Sequence, residues 1–206
     1  PGFSWSVQLL ARLVSLGYRY DATTLPTFIG PLARQYFLAT SNLSPEEREK
    51  RRHLFGSFRD GFRSLHPFAW QLSSGETLLE IPVTTIPILK LPFHMSYLLY
   101  LGSRSEALMM GYLRSALTTC RTFGVEPSFL LHPLDFLGGD KVSELSFFPG
   151  MRLPTARKIA LATRVLRTLR EFFECVPMST HADEIERRGG IPVLRAKSEV
   201  PARASR

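Results

Sequence analysis

A proton could change hands in this chain first of all at His132, which follows Phe129, Leu130 and Leu131 directly, and at Asp21, which follows Tyr18, Arg19 and Tyr20 in the same way. Imidazole is the side chain that titrates near neutral pH. A histidine at a strand end facing a shared mouth can therefore give or take a proton, and a nearby carboxylate would hold its tautomer. The competing reading is a packed histidine, hydrogen-bonded to backbone beside Pro133. His53, His66, His94 and His181 show no i, i+4 pairing, and neither Cys120 nor Cys175 belongs to a Cys-x-x-Cys knuckle, so the sequence presents no recognisable metal site. It also lacks a G-x-S-x-G elbow, a P-loop and a dinucleotide fingerprint. Trp5, Trp70, Tyr97 and Tyr100 could stack on sugar rings, although aromatic residues so spaced also serve as core.

These positions need elements to hold them. Val7, Leu10, Leu13, Val14 and Leu16 recur at helical spacing, with Ser4 available as N-cap and Gly17 where a helix end wants a positive φ. Residues 5–16 therefore read as a helix and 18–21 as a short aromatic strand. Ser44, Pro45, Glu46 and Glu47 form a capping box that opens a charged helix to about His53. Residues 78–85, branched and with proline near each flank, read as an edge strand. The stripe Leu108, Met109, Tyr112, Leu113, Ala116, Leu117 and Cys120 predicts a helix from Ser105 to Gly124, and 128–131 a compact strand ending at His132. Gly138 and Gly139 read as a turn. Thr155 caps a further helix with Ile159, Ala162, Leu166, Leu169 and Phe173 on its apolar side, and Val176 begins a last short strand. Strands alternating with amphipathic helices predict an α/β fold with a parallel sheet or barrel, whose functional groups stand at the C-terminal strand ends.

With 206 residues, 44% hydrophobic and 21% charged, the composition is that of a globular chain able to bury one core. No apolar stretch reaches the roughly 18 to 20 residues of a membrane helix, so no membrane span is expected. The net charge of +8, from 26 Lys plus Arg against 18 Asp plus Glu, is mostly local. Residues 151–188 carry eight basic and five acidic side chains, and 189–206 carry four basic and one acidic. Residues 183–206 read as a basic, disordered tail, and no aromatic-and-basic strand pattern supports a nucleic-acid partner. Two cysteines are too few for a disulfide scaffold. Both read as buried free thiols, which fits a reducing compartment such as the cytoplasm and leaves localisation open. Nothing before Pro1 has the form of a signal peptide, and the chain reads as a fragment whose N-terminal part is missing.

Four pieces, taken in order, carry a resemblance: residues 1–6 (PGFSWS), 16–26 (LGYRYDATTLP), 79–85 (LEIPVTT) and 128–136 (SFLLHPLDF). From Pro1 to about Ala182 the chain resembles the C-terminal part of the catalytic domain of a polysaccharide deacetylase, a carbohydrate esterase, in the subgroup similar to bacterial peptidoglycan deacetylases. The resemblance implies a distorted (β/α) barrel, of which residues 1–182 form a part that lacks the N-terminal metal-binding portion. It implies a metal-dependent N-deacetylase that hydrolyses N-acetyl groups of a glycan, peptidoglycan- or chitooligosaccharide-like. It also implies a divalent metal, usually zinc, held by one Asp and two His early in the family's sequence. A second early Asp serves as base, and an Arg-x-Pro motif has its Pro at Pro1. The fragment alone is expected neither to bind the metal nor to be active. The family's late Leu-x-His motif falls on Leu130 to His132 and gives His132 the role of general acid toward the departing amine. Asp21 is the nearest match for the supporting acid, although the family's Asp-Trp pair is absent there, and Leu130, Trp5 and Tyr97 are the substrate-binding candidates. The alternative is a non-catalytic relative that binds glycan or a protein partner.

Overall fold

The computed structural model describes residues 5–32, 57–143 and 150–196, together with positions 35, 44 and 46. Its helices are α1 (Val7–Ser15), α2 (Met95–Gly102), α3 (Glu106–Thr122), α4 (Thr155–Phe172) and α5 (Met178–Arg188). Its strands are β1 (Tyr20–Asp21), β2 (Phe68–Gln71), β3 (Thr77–Glu80) and β4 (Val193–Arg195). The strands form one mixed sheet in the order β1-β3-β2-β4. β1 runs parallel to β3, with Asp21 opposite Glu80, and β4 runs parallel to β2. β2 and β3 are antiparallel, which departs from the expected all-parallel arrangement. The cause is local: Gly75, at φ +91°, turns the chain back within a loop too short for a parallel crossover.

Alternation along the strands gives the sheet two apolar faces. On one, Leu10 of α1 packs with Phe68, Trp70, Leu72 and Leu78. On the other, Ala182 and Ile185 of α5 cover Leu79 and Ile81. A third cluster, including Leu98, Met109, Leu113, Leu117, Leu161 and Val165, binds α2, α3 and α4 into one layer. Two helix starts follow from hydroxyl caps: Ser6 accepts from the Leu9 N–H at 3.1 Å, and Ser105 from the Leu108 N–H at 3.2 Å. Thr155, expected to cap its helix, is instead the first residue of α4, which follows Pro154 without a side-chain cap. Ser4, the expected first cap, lies outside the described residues, as does almost all of the charged helix expected from 45 to 53. No helix among the described residues is long and apolar enough to cross a membrane.

Several expected elements are replaced. The strand expected over 78–85 ends as a strand at Glu80, two residues before Pro82, which has no N–H to donate to a ladder. Residues 128–131 form no strand: Ser128 bonds to Thr84 while the Leu130 carbonyl accepts from Met95, so the run is tied to two different segments and has no ladder. Val176 begins no strand but lies just ahead of α5. Of the tail expected to be disordered from 183, residues 183–188 complete α5 and 193–195 add β4 to the sheet, while 197–206 lie outside the described residues. Cys120 is buried, its thiol pushed up to about 12 by burial, whereas Cys175 is exposed and corrects the expectation of two buried thiols.

Candidate functional site

The main-chain bond from the Met95 N–H to the Leu130 carbonyl, at 3.2 Å, brings the start of α2 against the segment that leads into His132. Leu130, a candidate for substrate contact, thus acts in the structure through its carbonyl. Beyond it the chain enters a single 3-10 turn, Pro133–Asp135, with Pro133 at its first position and His132 at its cap. Asp135 folds back on the turn's start: its Oδ2 accepts the His132 N–H at 2.7 Å, and its Oδ1 accepts the Ser96 hydroxyl at 2.7 Å. Ser96 Oγ also lies 3.2 Å from His132 Nδ1, and Asp135 Oδ2 lies 3.6 Å from the same nitrogen. Because the serine proton is committed to Asp135, its oxygen accepts at Nδ1. The network thereby favours the Nδ1–H tautomer, in which Nε2 of the neutral ring has no proton.

Burial separates the members of this group. The Asp135 side chain is 4% exposed and that of His132 47%, so the carboxylate is fixed in the protein while the ring reaches solvent. His94, at the cap of α2, is buried with its ring centre 6.1 Å from that of His132 and edge-on to Tyr97 at 4.7 Å. Burial, and secondarily the neighbouring His132, push His94 down to about 4, so it is neutral at physiological pH. Burial raises the Tyr97 phenol. Serine, histidine and aspartate are all present, but the serine sits on the Nδ1 side and gives its proton to the aspartate. The arrangement is therefore a ring held for proton transfer at Nε2 and not a serine nucleophile with its base.

The other sequence candidates lie elsewhere. Asp21 does end β1 as expected, but its Oδ2 accepts from the Thr23 hydroxyl at 2.8 Å and its sheet partner is Glu80. Glu80 is buried and accepts the Thr24 N–H, the Thr24 hydroxyl and the Trp70 indole N–H, and burial raises its carboxyl. Among the described residues no hydrogen bond or ion pair joins Asp21 to His132, and the acid that orients the ring is Asp135. Trp5 stacks on Trp70 at 4.3 Å beneath the Arg63 guanidinium, in the core under α1. Tyr97 alone of the aromatic candidates stands beside the site, whereas Tyr100 is exposed under Arg104. Sequence reasoning missed Asp135 although its spacing from His132 is that of a capping box. For Ser96 and His94, more than thirty residues away, it had no signal.

Among the described residues no group of three or more His, Cys, Asp or Glu could hold a metal ion. Compared with models of protein families, with curated proteins and with solved structures, the chain matches none.

Proposed function

We propose that this chain carries the proton donor of a metal-dependent carbohydrate N-deacetylase, with His132 as general acid and Asp135, directly and through Ser96, as the group that orients it. The observation that supports the reading is the bare, outward Nε2 of a ring whose Nδ1 is held from within, in the LHPLD run on which the resemblance rests. Breaking the C–N bond of a hydrated amide expels an amine, a poor leaving group unless its nitrogen gains a proton as the bond breaks. The neutral ring first takes up a proton from water at Nε2, and the resulting imidazolium supplies it: the electron pair of the C–N bond takes up the proton, the free amine departs and acetate forms. His132 is left neutral, with its Nδ1–H still held by Ser96. In this reading the four-stranded sheet is a segment of a distorted (β/α) barrel and the glycan lies on the Tyr97 side of His132.

Acetate release from N-acetylated chitooligosaccharide, measured with metal content on the same preparations of this chain joined to the N-terminal metal-binding portion that the reading requires, tests this. His132→Ala should lower turnover by about 10²- to 10⁴-fold and leave metal content unchanged. If the variant lost its metal and its residual turnover followed the metal retained, His132 would be a ligand. If that joined protein bound metal and glycan without releasing acetate, the non-catalytic relative would be the better description.

A further inference from the structure

Lys158 lies on the inward face of α4 and is 2% exposed. Burying an ammonium is costly, and a methionine would fill the same space without that cost, so its donors must perform something apolar atoms cannot. They close the turn that carries Asp135. The Lys158 Nζ donates to the carbonyl of Leu134 at 2.7 Å and to that of Leu137 at 2.8 Å, with the Met151 sulfur at 3.4 Å. Leu134 is the middle residue of the Pro133–Asp135 turn, whose last carbonyls have no partner within so short a helix. The turn is thus tied at both ends, by the Asp135 carboxylate on the His132 N–H and by the Lys158 ammonium on the carbonyls.

We propose that Lys158 is a positioning residue for His132: it fixes the 133–137 segment on α4, so that Ser96 and Asp135 keep one ring tautomer and Nε2 keeps one direction. Facing the ring are Asp135 from its own turn and His94 from the start of α2; Tyr97 packs on His94, and Lys158 from α4, with Asp140 acting on it, holds the carbonyls of Leu134 and Leu137. Burial, the larger effect, lowers the proton affinity of Lys158, and the nearby Asp135 and Asp140 partly offset it. The inference rests on the general-acid reading for its effect on turnover, but not for its effect on the ring.

The test is the ¹⁵N spectrum of the His132 ring in the full chain, which reports the tautomer, read together with acetate release. The unaltered chain should show a single Nδ1–H tautomer. Lys158→Met should show a mixture, with kcat lowered on the order of 10²-fold and KM within about twofold, while Lys158→Arg keeps the single tautomer. One tautomer in Lys158→Met, or a mixture in the unaltered chain, overturns the proposal. Should Lys158→Met fail to fold, the unaltered chain decides. Nζ protons of Lys158 that exchange with water far more slowly than those of exposed lysines are expected, and equally fast exchange overturns the proposal. If the tautomer responds as expected while the protein joined to the metal-binding portion also releases no acetate, the positioning role stands and the deacetylase reading falls.

Discussion

His94 and His132 are near neighbours in opposite surroundings, and the buried one ties stability to pH. A histidine in an unfolded chain titrates near 6.5, whereas His94 in the folded protein is held at about 4. Between those values the unfolded state takes up a proton that the folded state refuses, so stability falls as pH drops through the window and levels off below it. The shift is worth about 3 kcal/mol. Glu80 acts in the reverse sense: its carboxyl is raised by burial, so stability falls as pH rises from its ordinary 4.5 through the folded value. Urea unfolding of the unaltered chain and of His94→Asn between pH 7 and 4 isolates the histidine, because Glu80 is common to both. The unaltered chain should lose about 3 kcal/mol more than the variant across that range; equal losses would sink the assignment. At this scale the sequence was partly legible. His132 announces itself by its place after an apolar run, and Asp135 by its spacing. Lys158 was hidden because a lysine reads as a solvated position, and its inward turn leaves Ile159, the expected apolar contact, exposed.

The loop between Ile86 and Leu91 shows how an element can be closed at a cost. Its ends are joined by the Ile86 N–H to the Leu91 carbonyl at 2.9 Å, and within it Ile88 and Lys90 take φ of +67° and +52°. A β-branched residue in the left-handed region is strained by roughly 1–2 kcal/mol, and the Ile88 side chain is 70% exposed, so little packing offsets the strain. Ile88→Gly should raise stability by about 1 kcal/mol, after allowance for glycine's greater freedom when unfolded, and the melting temperature by about 2–4 °C. A lower melting temperature would show that the isoleucine is held by a contact worth more than its strain. Elements marked by a stripe and a closing glycine were legible in advance: α1 and α3 have a glycine just past the end and apolar residues at helical steps, although α1 is capped by Ser6 and not by the expected Ser4. α5 was not, since only Ala182 and Ile185 are buried in a helix otherwise rich in charge. The 128–131 run has the residues of a strand, but strand pairing depends on what lies alongside, which no local pattern reports.

Across the whole molecule, the sheet and the three-helix layer have separate cores, and the candidate site belongs to the helical layer, reached from the sheet through the segment that joins β3 to α2. β4 contributes almost no side-chain burial, since all three of its residues are exposed. Its hold is therefore the backbone register, with the Ala69 N–H on the Pro192 carbonyl at 2.8 Å and the Ala196 N–H on the Gln71 carbonyl at 2.9 Å bracketing it. Leu194→Pro removes an N–H in the middle of that register. It should cost about 1–3 kcal/mol and speed hydrogen exchange at the amides of β2. A chain whose residues beyond 183 were merely a disordered tail would show neither effect.

The same pairing has a consequence during synthesis. Ala69 and Val193 are register partners separated by 124 positions in the chain. At the usual pace of translation, β2 emerges from the ribosome on the order of ten seconds before the strand that covers its edge. For that interval the edge of an apolar strand, Phe68 and Trp70 among its residues, offers unpaired N–H and C=O groups to any extended segment nearby. Neighbouring ribosomes on one message bring identical nascent segments together at just that stage, so dense translation is the condition under which this chain would aggregate, whatever the stability of the finished fold.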